Sequence, residues 1–230
     1  MKNTLTLLFV AALSTSASAA DLQIEGLPAS IAAESPWDGL YVGLHGGLGA
    51  GSEEDNQTEE IGGMSPDTIP LTGWLLGAHA GASFQAGAAV FGIEGIIDVG
   101  SIRGTVDYDY VQAGFGTLSF TSTWQASLNA RAGFTALESL LLYGSVGIAV
   151  AGGELIADEG FSDLTRTDTQ THVGWNVAVG AEYLLDENWS ARIEARYSDF
   201  GIADYVIFND DPASATFNLG TITGGLSYRF

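Results

Sequence analysis

The chain has 230 residues, 46% of them hydrophobic and 15% charged, a mean hydropathy of +0.20, and 28 acidic against 7 basic residues for a formal net charge of −21. That much apolar surface excludes a disordered acidic tail. A pI near 4.1, with Lys2 the only lysine, excludes nucleic acid as a partner, and the lack of cysteine excludes disulfides, thiol catalysis, cysteine-ligated zinc and a lipoprotein anchor.

Residues 1–20, MKNTLTLLFVAALSTSASAA, predict a secretory signal peptide: one cation at Lys2, an apolar run from Leu5 to Leu13, then Ala17-Ser18-Ala19, with cleavage after Ala19 or Ala20. The apolar run is about half of the ~20 residues that a spanning helix needs. No later stretch is apolar over a helix length, so any membrane crossing falls to strands. Residues 21–36 show no strong period, contain Pro28 and Pro36, and read as a short N-terminal periplasmic segment.

From residue 37 to residue 230 the period is two, the mark of half-buried strands, in eight segments. The first, about 39–50, sets Leu40, Val42, Leu44 and Leu48 against Tyr41, His45 and glycines. The second, about 72–85, sets Trp74, Leu76, Ala78, Ala80 and Phe84 against His79, Ser83 and Gln85. In the third, from about residue 89, Phe91, Ile93, Ile97 and Val99 alternate with Glu94 and Asp98; in the fourth, about 117–135, Trp124, Leu128, Ala130 and Phe134 oppose Gln125, Ser127, Asn129 and Arg131. The fifth, about 140–151, has Leu142, Val146, Ile148 and Val150 against Tyr143 and Ser145. The sixth, about 171–185, has Trp175, Val177, Val179 and Tyr183 against Asn176 and Glu182. The seventh, about 189–200, alternates Ile193, Ala195 and Tyr197 with Arg192, Glu194 and Arg196, and the eighth runs from about residue 216 to the end.

The connections alternate in length. Short turns fall at 86–88, 136–139 and 186–188, and long loops at 51–71, 104–116, 152–170 and 201–215. Short turns on one side and long loops on the other predict an all-β fold: an eight-stranded antiparallel up-and-down transmembrane β-barrel with its turns in the periplasm. A soluble ligand-binding barrel would carry its apolar face inside and its charges outside. Here one face carries a nearly balanced set, Glu94, Asp98, Arg131, Glu182, Arg192, Glu194 and Arg196, suited to a narrow interior. The other carries aromatics clustered near strand ends, suited to the membrane interface.

The run Trp37-Asp38-Gly39-Leu40-Tyr41-Val42-Gly43 resembles the W-x-G-x-Y-x-G start of the small outer-membrane barrels grouped as immunogenic or opacity-type surface proteins. The stretch VFGIEGIIDVG from Val90, the stretch GWNVAVGAEYLLDENWSARIEARYSDFG from Gly174, and the final YRF are similar to that family as well. The resemblance implies an abundant, exposed barrel in the outer membrane of a Gram-negative bacterium. It does not imply an enzyme, with some relatives binding host molecules or haemin, others acting as weak porins and many without an assigned activity; no cofactor is expected. Leu226, Tyr228 and the terminal Phe230 resemble the signal read by the barrel assembly machinery.

Three constellations are candidates for chemistry. Ions inside so narrow a barrel are tolerable only when paired, so Arg131, Arg192 and Arg196 are expected to bridge Glu94, Glu182 and Glu194 as a plug; the alternative is a gated ion path, a small porin. His45 and His79 face inward on adjacent strands and are expected to pair with each other or with glutamates. His172, with Thr169 and Thr171 nearby, lies at a loop end, but no serine motif accompanies it, which leaves a lipid A-modifying enzyme with no assembled nucleophile. The acids Glu53, Glu54, Asp55, Glu59, Glu60 and Asp67 in the first loop, and Asp158, Glu159, Asp163 and Asp168 in the third, are expected to be solvated or to hold divalent cations weakly, without calcium-loop spacing. The expected partners are therefore outer-membrane lipid and lipopolysaccharide, the assembly machinery, and weak cations or host ligands at the loops.

Overall fold

Strict alternation needs one face in each solvent, and a closed barrel supplies two faces without an unpaired edge. The structure, a computed structural model, describes residues 35–55, 68–110, 114–159, 165–208 and 211–230; the expected signal peptide and most of the segment after it lie outside the described residues. The strands are β1 (Gly39–Asp55), β2 (Thr68–Ala86), β3 (Ala89–Tyr110), β4 (Gly114–Leu137), β5 (Leu140–Glu159), β6 (Thr165–Leu184), β7 (Trp189–Phe208) and β8 (Asp211–Arg229). All pair antiparallel in sequence order, and β1 closes on β8 with Leu48 opposite both Trp74 and Ile222.

The outward face in the lower half is the predicted one: Leu44, Leu76, Ile93, Leu128, Ile148, Val179 and Ile193 are exposed, while Tyr41, His79, Glu94, Arg131, Glu182 and Arg192 are buried inside. Phe84, Phe91, Phe134, Tyr183 and Trp189 form the girdle near the short turns, and Trp74, Trp124, Trp175 and Tyr197 form the other. Ten residues separate Phe134 from Trp124, which at ~3.3 Å per residue and a tilt near 40° gives a band about 25 Å tall, the height of an outer-membrane hydrocarbon layer.

The strands do not stop there, and this corrects the expected long loops at 51–71, 104–116, 152–170 and 201–215. The last three are mostly strand, with only residues 111–113, 160–164 and 209–210 separating the paired elements, and the first is strand at both ends, where β1 runs to Asp55 and β2 starts at Thr68. From Trp124 to Gly114, β4 climbs about another 25 Å beyond the girdle. In this upper half the two faces exchange chemistry. Outward positions become polar, with Thr72, Arg103, Thr121, Thr169 and Thr171 exposed or half-buried. Inward positions become apolar, with Ile69, Leu71, Ile102, Phe120, Leu155, Phe200, Tyr205, Phe217 and Leu219 forming one buried cluster. The reason is the change of outer solvent from lipid to water.

Two irregularities mark the crossover level. In one, β4 shifts register against β3 between Val99 and Ile102 and against β5 between Ser122 and Trp124; in the second, the β7 pairing with β8 shifts between Asp199 and Ile202. Gly201 sits in the second bulge at φ +61°, a conformation that glycine adopts without strain. Past it the inward parity moves from Ser198 and Phe200 to Tyr205, which turns the tyrosine into the core.

Candidate functional site

The inward side chains of the lower half form one alternating ladder of charge. From the turn end, Arg229 Nη2 lies 3.6 Å from Glu182 Oε1, and Arg131 Nη2 donates to the other Glu182 oxygen. Arg131 also stacks on the Tyr143 ring at 3.6 Å and sits 4.0 Å from Glu94. Arg192 donates to both Glu94 oxygens, at 2.6 and 3.3 Å, and reaches Glu194 at 3.5 Å. Arg196 then donates to Glu194 at 2.6 Å and to Ser127 Oγ at 3.2 Å. Each glutamate thus lies between two arginines, and the order of strands around so narrow a barrel is what brings residues from β3, β4, β6, β7 and β8 to one axis.

Of the seven interior charges singled out in the sequence, six stand in this ladder. Asp98 does not. It takes His45 Nε2 at 2.6 Å and Gln125 Nε2 at 2.9 Å, so its partner is a histidine and not an arginine. Sequence reasoning missed Arg229, hidden in the terminal signal, and the two tyrosines: the Tyr41 hydroxyl donates to Glu94 at 2.9 Å and the Tyr143 hydroxyl to Glu194 at 2.9 Å. Tyr41 and Tyr143 were visible as inward positions, and that was the available signal. Tyr143→Phe keeps the ring under Arg131 and removes only the bond to a carboxylate, so the folded barrel is expected to lose about 1.5–3 kcal/mol, read as a lower urea midpoint at unchanged slope.

Below the ladder the barrel mouth is closed by Trp37, which is fully buried. Its indole Nε1 donates to the Glu138 carbonyl at 3.2 Å, its own carbonyl accepts from Ser83 Oγ at 2.5 Å and Arg229 Nη1 at 3.0 Å, and the Arg229 guanidinium lies 5.3 Å from the ring. The segment before β1 therefore turns into the lumen at its last residues instead of hanging free. The terminal Phe230 donates its amide to the Leu40 carbonyl at 3.0 Å, and Leu226 and Phe230 face outward.

Above the ladder, Phe217 stacks on Phe200 at 4.4 Å and meets Phe120 at 5.0 Å and His172 at 4.9 Å. His172 is thus in the core of the upper half, not at a loop end: its Nε2 bonds the Tyr205 hydroxyl at 2.7 Å and its Nδ1 the Gly201 carbonyl at 3.3 Å. Burial raises the Tyr205 phenol above its ordinary value and keeps it protonated. The acid clusters also need correction. Glu53 and Glu54 are consecutive strand residues, so they point to opposite faces, and Glu53 is buried inside. Asp158 and Asp168 lie on β5 and β6, while Glu59, Glu60, Asp67 and Asp163, with the side chains of Asp55 and Glu159, lie outside the described residues. Among the described residues no three acidic or histidine side chains converge as cation ligands.

A family model described as the outer membrane protein beta-barrel domain matches residues 5–230. The chain belongs to the outer-membrane β-barrel family. Within this family it is 29% identical to the 31 kDa outer-membrane immunogenic protein of Brucella melitensis, with all of both chains covered. It is 30% identical to the 25 kDa outer-membrane immunogenic protein of Brucella abortus, over 88% of this chain and 84% of the relative. Among solved structures of outer-membrane barrels, OprG of Pseudomonas aeruginosa superposes with a TM-score of 0.51 at 15% identity, covering 84% of this chain and 96% of that one. The outer membrane protease OmpT of Escherichia coli gives 0.52 at 11% identity, covering 84% and 97%. At those identities the likeness is one of fold. The family places this barrel in the cell outer membrane, with the short turns towards the periplasm and the upper half outside the cell.

Proposed function

We propose that this outer-membrane barrel is a closed, non-conducting scaffold that presents a rigid surface above the membrane, with a structural or interaction role and no catalysis. The observation that carries the reading is the double filling of its interior: an ion-paired ladder from Arg229 to Arg196 below, and an aromatic layer around Phe217 above. Eight strands enclose a lumen that side chains alone can fill, and neither layer leaves a charge unpaired to draw ions through. The names of the relatives, outer-membrane immunogenic proteins, support exposure at the cell surface. The polar wall above the outer girdle stands at the height of lipopolysaccharide sugars, and its hydroxyls and carboxylates are the contacts offered to that layer or to host ligands. Leu226 and Tyr228 on the last strand, with Phe230 directly after it, are the residues offered to the barrel assembly machinery.

An enzyme reading would need a nucleophile that a substrate reaches. His172 has a tyrosine and a carbonyl as partners, and Ser227, the serine bonded to His79 at 2.8 Å, is buried. The test is conductance of the refolded chain, begun at residue 21, in a planar bilayer. The wild type is expected to be silent, as is Arg192→Ala, because the aromatic layer is untouched. Reproducible steps from the wild type that change with Arg192→Ala would make the ladder a filter and the protein a small porin.

A further inference from the structure

His45 and His79 stand apart from the arginine ladder, and the scaffold role makes no use of them. They lie on paired strands, each opposite a glycine of the other: His45 faces Gly77 and His79 faces Gly43. The sequence carries the arrangement twice, as Gly43-Leu44-His45 and Gly77-Ala78-His79, and antiparallel pairing relates the two by a local two-fold axis. The glycines are a requirement of the rings, because a Cβ at Gly43 would collide with the His79 imidazole and one at Gly77 with that of His45.

The two Nδ1 atoms face each other at 3.1 Å. The other nitrogen of each ring is held: His45 Nε2 by Asp98 Oδ1 at 2.6 Å, and His79 Nε2 by Ser227 Oγ at 2.8 Å. Asp98 is fixed in turn by Gln125 at 2.9 Å. Convergent nitrogens backed by oxygens on the far side of each ring are what metal-ligating histidines require. In the metal-free chain Asp98 makes His45 Nε2 the donor, so His45 Nδ1 accepts the proton carried by His79 Nδ1. A cation replaces that proton, which moves to His79 Nε2 and reverses the bond to Ser227, so no proton leaves.

Metal–imidazole bonds of ~2.0–2.1 Å hold two nitrogens about 3.3 Å apart at a tetrahedral angle and about 4 Å apart in a line. The rings must therefore part by less than about 1 Å. That displacement is within reach of side-chain rotation of the two imidazoles; the groove of ≈ 1130 Å³ at this level is lined largely by outward residues such as Leu44, Leu76, Ile97 and Leu226 and lies on the lipid side of the wall. Asp98 balances one positive charge, and the nearby Arg192 and Glu94 cancel in their own ion pair. Among the described residues no third ligand converges on the pair, which disfavours zinc and suits a d10 monocation that two imidazoles satisfy. The geometry points to a buried two-histidine site for copper(I), His45 and His79 being the ligands and Asp98 the residue that positions the first.

The test uses the refolded, tag-free chain, titrated anaerobically with copper(I) against a chromophoric competitor, and in parallel with silver(I) and zinc(II). One copper(I) or silver(I) per chain is expected, with two nitrogen donors in the X-ray absorption spectrum. Affinity should fall at least about tenfold in His45→Gln and His79→Gln, about 10–100-fold in Asp98→Asn, and not at all in His172→Gln. Binding that survives in the His45→Gln, His79→Gln double variant, or that is tightest for zinc(II), overturns the assignment. If the variants fail to refold, the wild type decides through nitrogen-15 spectra. Silver(I) should shift the Nδ1 signals of two histidines out of three, and unshifted signals overturn the site.

Discussion

Glu94→Leu is expected to destabilise the barrel by about 3–5 kcal/mol, seen as a fall in the urea midpoint followed by tryptophan fluorescence in lipid vesicles. The size follows from what Glu94 holds. Both of its oxygens take Arg192, at 2.6 and 3.3 Å, one takes the Tyr41 hydroxyl at 2.9 Å, and Arg131 lies 4.0 Å away. Among the described residues, leucine leaves Arg192 with its 3.5 Å contact to Glu194, at a side chain that is only 1% exposed. The cost is that of a stranded charge and not the net worth of the pair, so the double variant Glu94→Leu, Arg192→Met should recover most of it. Coincident midpoints for wild type and Glu94→Leu would mean that water reaches Arg192 freely, which would open the lumen that the scaffold reading closes.

A loss of similar size, about 3–5 kcal/mol, is expected for Phe217→Ala. The ring is fully buried between Phe200, Phe120 and His172, and truncation leaves a cavity in a stiff sheet that cannot collapse around it. The two substitutions should differ in where they act. Phe217→Ala lies in the half that water surrounds, so amide exchange and protease cleavage should rise around Phe120, Phe200 and Tyr205 while the lipid-embedded ladder stays protected. Uniform loss of protection from girdle to girdle would show that the halves unfold as one unit.

The lower half was readable from the sequence because lipid outside and paired charges inside give each strand a strong alternation: Ile93 against Glu94, Ile193 against Arg192. The upper half was not. Once water replaces lipid, the outward face carries Thr167, Thr169 and Thr171 and the inward face scattered apolar residues, a pattern that reads as a polar loop. The bulges before Trp124 and at Gly201 reset the period where the chemistry changes, so Tyr205 falls out of step with Phe200. The partners within the ladder were readable only as a set. Parity places Glu94 and Arg192 in one lumen, but which arginine meets which glutamate depends on strand stagger around the barrel, and that is why Asp98 could be placed in the interior set without its partner. The His45–His79 contact was accessible from adjacent inward positions, whereas Asp98 behind it was not.

The upward continuation of the sheet bears on how such a surface can change over generations. A flexible loop tolerates replacement at every residue, but a strand that is wet on one side and packed on the other tolerates it only at alternate positions. On β6 the outward set Thr165, Thr167, Thr169 and Thr171 is free to drift, while the intervening residues are tied to the interior that ends at His172. Sequence drift on this wall would therefore proceed in steps of two residues. Across several strands the shape of the surface would persist while every second side chain turns over.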